Sequence, residues 1–282
     1  MKILIIGANG MLGQSLFRHF SKNYEVHGVA RSNSWHPSVK SGIDVQNNES
    51  IEAVFSEFKP DLVLNCVGII KQLKESKDNE ISIFTNALWP HRLASICSKF
   101  NAKMIHFSTD CVFTGSEGNY TEESNADSRD LYGLSKYLGE VAYDHTLTIR
   151  TSIIGHEIKS NVSLVDWFLS QDNECKGFTK AIYSGFPTNS LARIIDTIIL
   201  PKFMKGDVSG LYHVSSNPIS KYELLKIIAD VYGKNINIIP YDEFEIDRSL
   251  NSKRFQNEFN YTPESWKDLI EEMYTLYKEM GR

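Results

Sequence analysis

Lys2-Ile3-Leu4-Ile5-Ile6 runs directly into Gly7-Ala8-Asn9-Gly10-Met11-Leu12-Gly13. A short, unbroken aliphatic run reads as a strand buried on both faces. The glycines that follow stand at GxxGxxG spacing and lead into an amphipathic helix over Met11–Phe20. Glycines let the backbone turn tightly and come close to a pyrophosphate, and the helix N-terminus adds free N–H groups and a partial positive charge. Any strand–helix turn can carry one glycine; here spacing and placement together point to a dinucleotide. Gly7, Asn9, Gly10, Met11 and Leu12 are the expected contacts.

Outward from this turn the first half alternates strands and helices. Strands are expected at Tyr24–Ala30, Asp61–Val67, Lys103–Phe107 and Leu147–Ile154. Helices are expected at Ser50–Phe58 with Ser50 as cap, at Ile83–Phe100 and at Leu131–Tyr143. Such alternation predicts an α/β fold, a doubly wound parallel sheet with helices on both faces. The second half is less regular. Val162–Ser170 and Ser190–Leu200 read as helices, Gly210–Ser215 as a strand returning to the main sheet, Ser220–Tyr232 as a helix capped by Ser220, and Thr262–Gly281 as a terminal helix. The break in alternation places a boundary near residue 151, with a nucleotide-binding part over 1–150 and a mainly substrate-binding part over 151–282.

The bulk numbers exclude several classes. The chain has 282 residues, 41% apolar and 23% charged, with a formal net charge of −5. A mildly acidic chain without a basic run has no pull toward nucleic acid. Cys66, Cys97, Cys111 and Cys175 form no CxxC pair, so no metal site is expected, and scattered single cysteines suit a reducing cytoplasm. The apolar run after Met1 is too short for a signal peptide, and no stretch approaches the ~18 apolar residues of a membrane span.

At the end of the second strand, where an acidic residue would bind the ribose hydroxyls of NAD, the chain has Arg31-Ser32. A guanidinium and a hydroxyl suit a 2′-phosphate through charge-assisted bonds, hence NADP(H). Asp44-Val45 can flank the adenine, although a turn carboxylate is an equal reading of Asp44. Cys66-Val67-Gly68 offers small residues at the end of a strand, against which a cofactor can lie.

Tyr132-Gly133-Leu134-Ser135-Lys136 puts a phenol and an ammonium at i and i+4, on one helix face. The cation is expected to lower the tyrosine pKa and ready it for proton transfer to a carbonyl oxygen. Upstream, Phe107-Ser108-Thr109-Asp110-Cys111-Val112-Phe113 ends a strand, and the Thr109 hydroxyl can bind the same oxygen.

GxxGxxG at Gly7–Gly13, STDxVF at Ser108–Phe113, YxxSK at Tyr132–Lys136 and Asn86 in the preceding helix resemble the extended short-chain dehydrogenase/reductases of nucleotide sugars. The chain is most similar to the dTDP-4-dehydrorhamnose reductase group. Arg150-Thr151-Ser152 and Gly185-Phe186-Pro187-Thr188 extend the likeness, while the last 65 residues match only in general pattern.

The resemblance implies a Rossmann-type fold with a smaller C-terminal substrate-binding domain. It implies NADPH-dependent reduction of a 4-keto-6-deoxy sugar on a nucleotide, for surface polysaccharide precursors. Thr109, Tyr132 and Lys136 would be catalytic, with Lys136 also on the nicotinamide ribose. Asn86 would support a proton-relay water or the site backbone; a helix-surface amide is its plain alternative. Asp110, Cys111, Thr151, Ser152 and Thr188 would meet the substrate. Trp167 is read equally as a substrate neighbour or a core residue. The resemblance also implies a homodimer through the helices near Ala87–Phe100 and Leu131–Tyr143.

Cys111 departs from the tyrosine usual after STD in the rhamnose reductases, which puts the rhamnose product in doubt. It admits an epimerase-reductase with Cys111 as base, and His156 or His213 are the candidate second groups. A dehydratase lacks its glutamate base here, and Arg31 argues against an NAD-dependent epimerase. A non-catalytic NADP-binding regulatory subunit is a further reading, but such a protein is free to lose Tyr132 and Lys136, and both are present.

Overall fold

The computed structural model describes residues 1–71, 77–157 and 163–279. In chain order the elements are β1 (Lys2–Ile6), α1 (Met11–Phe20), β2 (Glu25–Val29), β3 (Val39–Lys40), α2 (Asn48–Phe58), β4 (Leu62–Asn65), α3 (Asn79–Ser82), a π-helical turn (Ile83–Leu88), α4 (Trp89–Lys99) and β5 (Lys103–Thr109). A 3₁₀ turn (Asp110–Val112) leads to α5 (Leu131–Leu138), β6 (Thr146–Thr151), β7 (Ile153–Ile154), α6 (Leu164–Leu169), β8 (Glu174–Tyr183) and β9 (Phe186–Pro187). Then come α7 (Thr188–Ile194), a second π-helical turn (Ile195–Ile199), α8 (Leu200–Phe203), β10 (Gly210–His213), β11 (Ile219–Ser220), α9 (Lys221–Tyr232), β12 (Asn237–Asp247), α10 (Lys253–Phe259) and α11 (Trp266–Glu279).

Among the described residues, seven strands form one sheet in the order β10-β6-β5-β4-β1-β2-β3. Every pairing in it is parallel. The chain winds outward from β1 in one direction through β2 and β3, then crosses to β4 and continues the other way. This is the Rossmann-type doubly wound arrangement, and its crevice opens at the C-terminal ends of β1 and β4, where the winding reverses. Successive β1 side chains serve opposite layers. Ile3 and Ile5 pack with Leu16 and Phe20 of α1 and with Leu191 and Ile194 of α7. Leu4 and Ile6 pack with Phe55 of α2 and with Trp89, Leu93 and Cys97 of α4. Burial on both faces explains why the strand lacks polar alternation.

The strand expected near residue 210 pairs with β6 as the outermost member of the sheet, with Gly210 opposite Leu147 and His213 opposite Arg150. A separate sheet, β11-β8-β12, carries most of the remaining strand residues. Neither β8 nor β12 was expected. β12 is an edge strand, largely exposed, with Pro240 and several acids, so it lacks an apolar pattern; its backbone pairing to β8 defines it.

Several expected boundaries are corrected. Asn47 rather than Ser50 caps α2, its Oδ1 accepting from the Ser50 N–H at 3.1 Å. The Ser220 cap holds, accepting from the Glu223 N–H at 3.1 Å. The helix expected over Ile83–Phe100 begins at Asn79 and carries the π turn in its middle. The helix from Leu131 stops at Leu138, and the strand expected over Leu147–Ile154 is two strands, β6 and β7. Trp167 is neither core nor screened, being 37% exposed. The expected helix start at Val162 and helix end at Gly281 lie outside the described residues. Among the described residues no helix is long and apolar enough to cross a membrane.

Two glycines fix the seat of α5. A methyl group at Gly133 would overlap the Cys111 carbonyl and the Ser128 hydroxyl, and one at Gly139 would overlap the Asn86 carbonyl oxygen. Gly139→Ala must therefore push α5 away from the π turn. Overpacking of this kind costs ~1–3 kcal/mol, and urea denaturation is expected to show a loss in that range; unchanged stability would contradict the close approach.

Candidate functional site

The glycine turn opens the site. Gly7 has φ of 87°, and a methyl there would lie 2.9 Å from the Cys66 carbonyl carbon, so β1 and β4 meet backbone to backbone at the crevice. Gly10 is the N-cap of α1 and no side chain caps that helix, which leaves its first amides to a ligand. Asn9 ties the turn to the segment after β2: its Nδ2 donates to the Ser32 hydroxyl at 3.1 Å and to the Asn33 carbonyl at 3.1 Å. The Asn9 Oδ1 is buried without a partner among the described residues. Arg31 stands exposed on the same rim. A turn with glycine at both ends, uncapped helix amides and an unpaired Asn9 amide oxygen together fit a dinucleotide pyrophosphate.

Two expected cofactor contacts have local roles. Asp44 Oδ1 accepts from the Gln46 N–H at 2.9 Å, so its carboxylate closes its own turn. Val45 packs on the core layer beneath α2. Thr188, expected at the substrate, stands beside the start of α1: a methyl at Gly155 would lie 2.7 Å from the Thr188 Oγ1 and 3.4 Å from the Met11 sulfur. With Met11, Gln14, Ser15 and Arg18, Thr188 lines a small cavity beside α1.

The reacting end gathers at the C-terminal ends of β5 and β6 and the start of α5. Asp130 caps α5, its Oδ1 accepting from the Gly133 N–H at 2.9 Å. This sets Tyr132 and Lys136 facing β5. Thr109 Oγ1 accepts from the Cys111 N–H at 3.1 Å and donates to Asp110 Oδ1 at 3.1 Å. Thr151 is Thr109's register partner across β5 and β6, and Thr151 Oγ1 donates to the Ser152 carbonyl at 3.3 Å. The Ser152 carbonyl also receives the Phe186 N–H at 2.9 Å.

Asn86 is buried inside the π turn and is no surface amide. Its Oδ1 accepts from the Ile69 N–H at 2.8 Å, while its Nδ2 donates to the Ile69 carbonyl at 3.0 Å and to the Ser135 hydroxyl at 3.2 Å. It thus pins the segment after β4 to α5. A methyl on Gly68 would lie in ordinary contact, 3.5 Å from Asn86 Oδ1 and 4.0 Å from Lys136 Nζ, so the segment after β4 runs directly past both side chains.

Electrostatics correct one expectation. Burial raises the Tyr132 phenol above its ordinary value, and neighbouring Cys111 adds to this, while a hydrogen bond with Thr109 works the other way. The net direction is therefore upward, opposite to the lowering expected from the ammonium. Part of the Tyr132 ring reaches the surface, but its hydroxyl sits deep and stays protonated. Lys136 Nζ donates to the Phe107 carbonyl at 2.6 Å. Burial pushes its pKa down to about 8, against a partial opposing pull from Glu140. Burial likewise pushes the Cys111 thiol up to about 12, with Asp110 reinforcing and Arg248 opposing it. Asp110 is raised by burial, and Arg248 again opposes.

Neither histidine considered as a proton partner stands ready for that role. His156 is held between Asp166, at 2.6 Å, and the Tyr232 hydroxyl, at 2.8 Å. His213 is fully buried, contacts Arg150 at 3.2 Å and the Tyr120 carbonyl at 3.0 Å, and burial lowers its pKa to about 3.

Sequence reasoning missed the charged frame behind the site. Arg150 makes a two-pronged ion pair with Glu140 at 2.7 Å on each prong, and Ser108 donates to the same carboxylate at 2.6 Å. It also missed Lys71, which pairs with Asp130 at 2.8 Å, and Arg248, which lies beyond the last recognisable motif.

The family model described as the RmlD substrate binding domain matches residues 1–279. The spore coat polysaccharide biosynthesis protein SpsK of Bacillus subtilis is 26% identical, covering 96% of each chain. The methionine adenosyltransferase 2 subunit beta of Xenopus laevis is 24% identical over 82% of this chain and 72% of its own. A dTDP-4-dehydrorhamnose reductase of Bacillus anthracis, solved in complex with NADP, superposes with a TM-score of 0.80 at 22% identity, covering 97% of each chain.

The low Lys136 pKa has a direct reading. Because burial disfavours the ammonium, the folded protein holds fewer protons than the unfolded chain between about 8 and 10.5, and this residue's contribution to stability grows as pH rises through that window. Lysine ¹³Cε NMR of the unliganded protein is expected to show a resonance with a midpoint of about 8 that disappears in Lys136→Met. A midpoint at the ordinary lysine value would contradict the burial argument.

Proposed function

The chain belongs to the RmlD substrate binding domain family, and on that premise we propose that it uses NADPH to reduce the 4-keto group of a nucleotide-activated 4-keto-6-deoxy sugar. The observation that carries this reading is the convergence of Thr109, a protonated Tyr132 and a buried Lys136 on the crevice that the glycine turn opens. The names of the B. subtilis and B. anthracis relatives support the substrate class and its place in surface polysaccharide synthesis.

Gly7, Gly10 and the first amides of α1 hold the pyrophosphate, Arg31 and Ser32 the 2′-phosphate, Cys66, Val67 and Gly68 the nicotinamide side, and Lys136 the ribose. NADPH, when bound, supplies the hydride. Thr109 and Tyr132 donate hydrogen bonds to the sugar carbonyl oxygen, and Tyr132 gives up its proton as charge develops there. A phenol held above its ordinary pKa is loaded with that proton at neutral pH. Lys136, poised at about 8, is suited to restore it. Asn86 keeps α5 and the segment after β4 in register. Asp110, Thr151 and Ser152 border the sugar.

Cys111 is a neutral thiol in this setting, which favours plain reduction over epimerisation, since a thiolate is the active base. The likeness to the methionine adenosyltransferase subunit favours a second reading, an NADP-binding regulatory subunit without turnover. A homodimer through the π turn, α4 and α5 is supported by exposed Leu88, Leu134, Tyr137 and Leu138.

Tyr132→Phe is expected to cut turnover by ~10²–10⁴-fold while NADPH binding, followed by fluorescence, stays near wild type. Near-normal turnover would remove Tyr132 as the acid. Wild type is expected to favour NADPH over NADH in kcat/KM by roughly tenfold or more, and Arg31→Ala to erode the preference; equal values in wild type would end that assignment. Incubation with 4-keto substrate in D₂O without NADPH is expected to leave C3 and C5 at the enzyme-free level by NMR. Uptake that vanishes in Cys111→Ser would instead make this an epimerase-reductase.

A further inference from the structure

The segment after β12 enters the reacting end as a clamped strap. The Asp247 N–H donates to the Gly115 carbonyl at 2.8 Å, the Tyr120 N–H to the Ser249 carbonyl at 2.9 Å, and the Asn251 N–H to the Tyr120 carbonyl at 2.7 Å. The Asn119 N–H adds a bond to the Ser249 hydroxyl at 2.8 Å. Between these fixed points sits Arg248. Its Nε donates to the Phe113 carbonyl at 2.9 Å, which sets the guanidinium plane. Its Nη1 points at the Cys111 sulfur at 3.8 Å.

Arg248 keeps donors to spare, with Asp110 near enough to feel its charge. It forms no ion pair among the described residues, and its outer contact is to sulfur. A guanidinium has five donors and no acceptor capacity, and a thiol sulfur is a weak acceptor. The Nη1–sulfur contact is therefore cheap to exchange, while the Nε–carbonyl bond keeps the group aimed. Cys111 in turn donates its backbone N–H to the Thr109 hydroxyl at 3.1 Å, so the guanidinium borders the position proposed for the reacting carbonyl.

We propose that Arg248 is a specificity-determining residue that donates to an oxygen on the sugar, which replaces the Cys111 sulfur as acceptor when substrate binds. The inference rests on the nucleotide-sugar reading and goes beyond it by stating what the sugar must offer. The edge of the ring facing Cys111 carries an oxygen acceptor, such as a hydroxyl, carbonyl or carboxylate, and a deoxy analogue at that carbon is disfavoured. The contact is assigned to the sugar rather than to the diphosphate because it lies two residues from Thr109.

The test compares wild type, Arg248→Met and Arg248→Lys on pairs of 4-keto sugar nucleotides that differ by one hydroxyl on the sugar ring, with the matching nucleoside diphosphate as a competitive inhibitor. Arg248→Met is expected to raise KM at least about tenfold, the loss of a charge-assisted hydrogen bond, and to abolish discrimination within one pair. NADPH affinity and the inhibition constant of the nucleoside diphosphate should stay within about twofold, and Arg248→Lys should recover part of the discrimination. Unchanged KM and discrimination in Arg248→Met would overturn the inference. So would a loss of nucleoside diphosphate affinity matching the rise in KM, because the contact would then lie on the diphosphate. A wild type that oxidises NADPH with none of the sugars would instead defeat the reductase reading on which the inference stands.

Discussion

The reacting end depends on how closely α5 is pressed against its two neighbours. Gly133 meets the Cys111 carbonyl and Gly139 meets the Asn86 carbonyl, each with no room for a methyl group. Tyr132 stands immediately before the first contact, and Lys136 lies between the two. Asn86 completes the clamp by bonding the Ile69 backbone through both polar atoms of its amide and reaching Ser135 on α5. The π turn makes this reach available: its extra residue breaks the regular α ladder and lets an amide in mid-helix face inward. Close packing here converts a helix face into a fixed distance from the end of β5, the property a proton-transfer site requires.

The same packing sets the charges. Burial holds the phenol and the Cys111 thiol in their protonated forms and weakens the Lys136 ammonium. One mechanism, the cost of taking charge out of water, thus acts on three groups in the direction that suits a neutral acid with a nearby reservoir. The buried Arg150–Glu140 pair stands behind them, hydrogen-bonded by Ser108 as well, so its charges are compensated within the frame rather than spent on the crevice.

Much of this was legible in the sequence, and the reason is local. Ile3–Ile6, the glycine spacing and the i, i+4 placement of Tyr132 and Lys136 are encoded over a few residues each, so pattern and function coincide. The parallel sheet followed from strand–helix alternation. What escaped depends on distant partners. β12 is exposed and acidic, and only its pairing with β8 makes it a strand. The rise in the Tyr132 pKa comes from burial, which no spacing reveals. Asn47 took the cap from Ser50 because either residue can cap, and the choice rests on where the turn at Asp44 delivers the chain. Arg248 reaches Cys111 from 137 residues away in sequence, through a strap with no recognisable motif.

The central claim is that hydride reaches C4 of a nucleotide-linked sugar while Tyr132 protonates the oxygen. It is tested most directly by incubating the enzyme with NADPH dideuterated at C4 of the nicotinamide and a panel of 4-keto-6-deoxy sugar nucleotides, then reading the products by NMR. The account predicts one deuterium at C4 of the sugar, in a single configuration, with at least one member of the panel. Absence of label at C4 across the panel, from a protein that binds NADPH, would contradict it and leave a dinucleotide-binding protein without this chemistry.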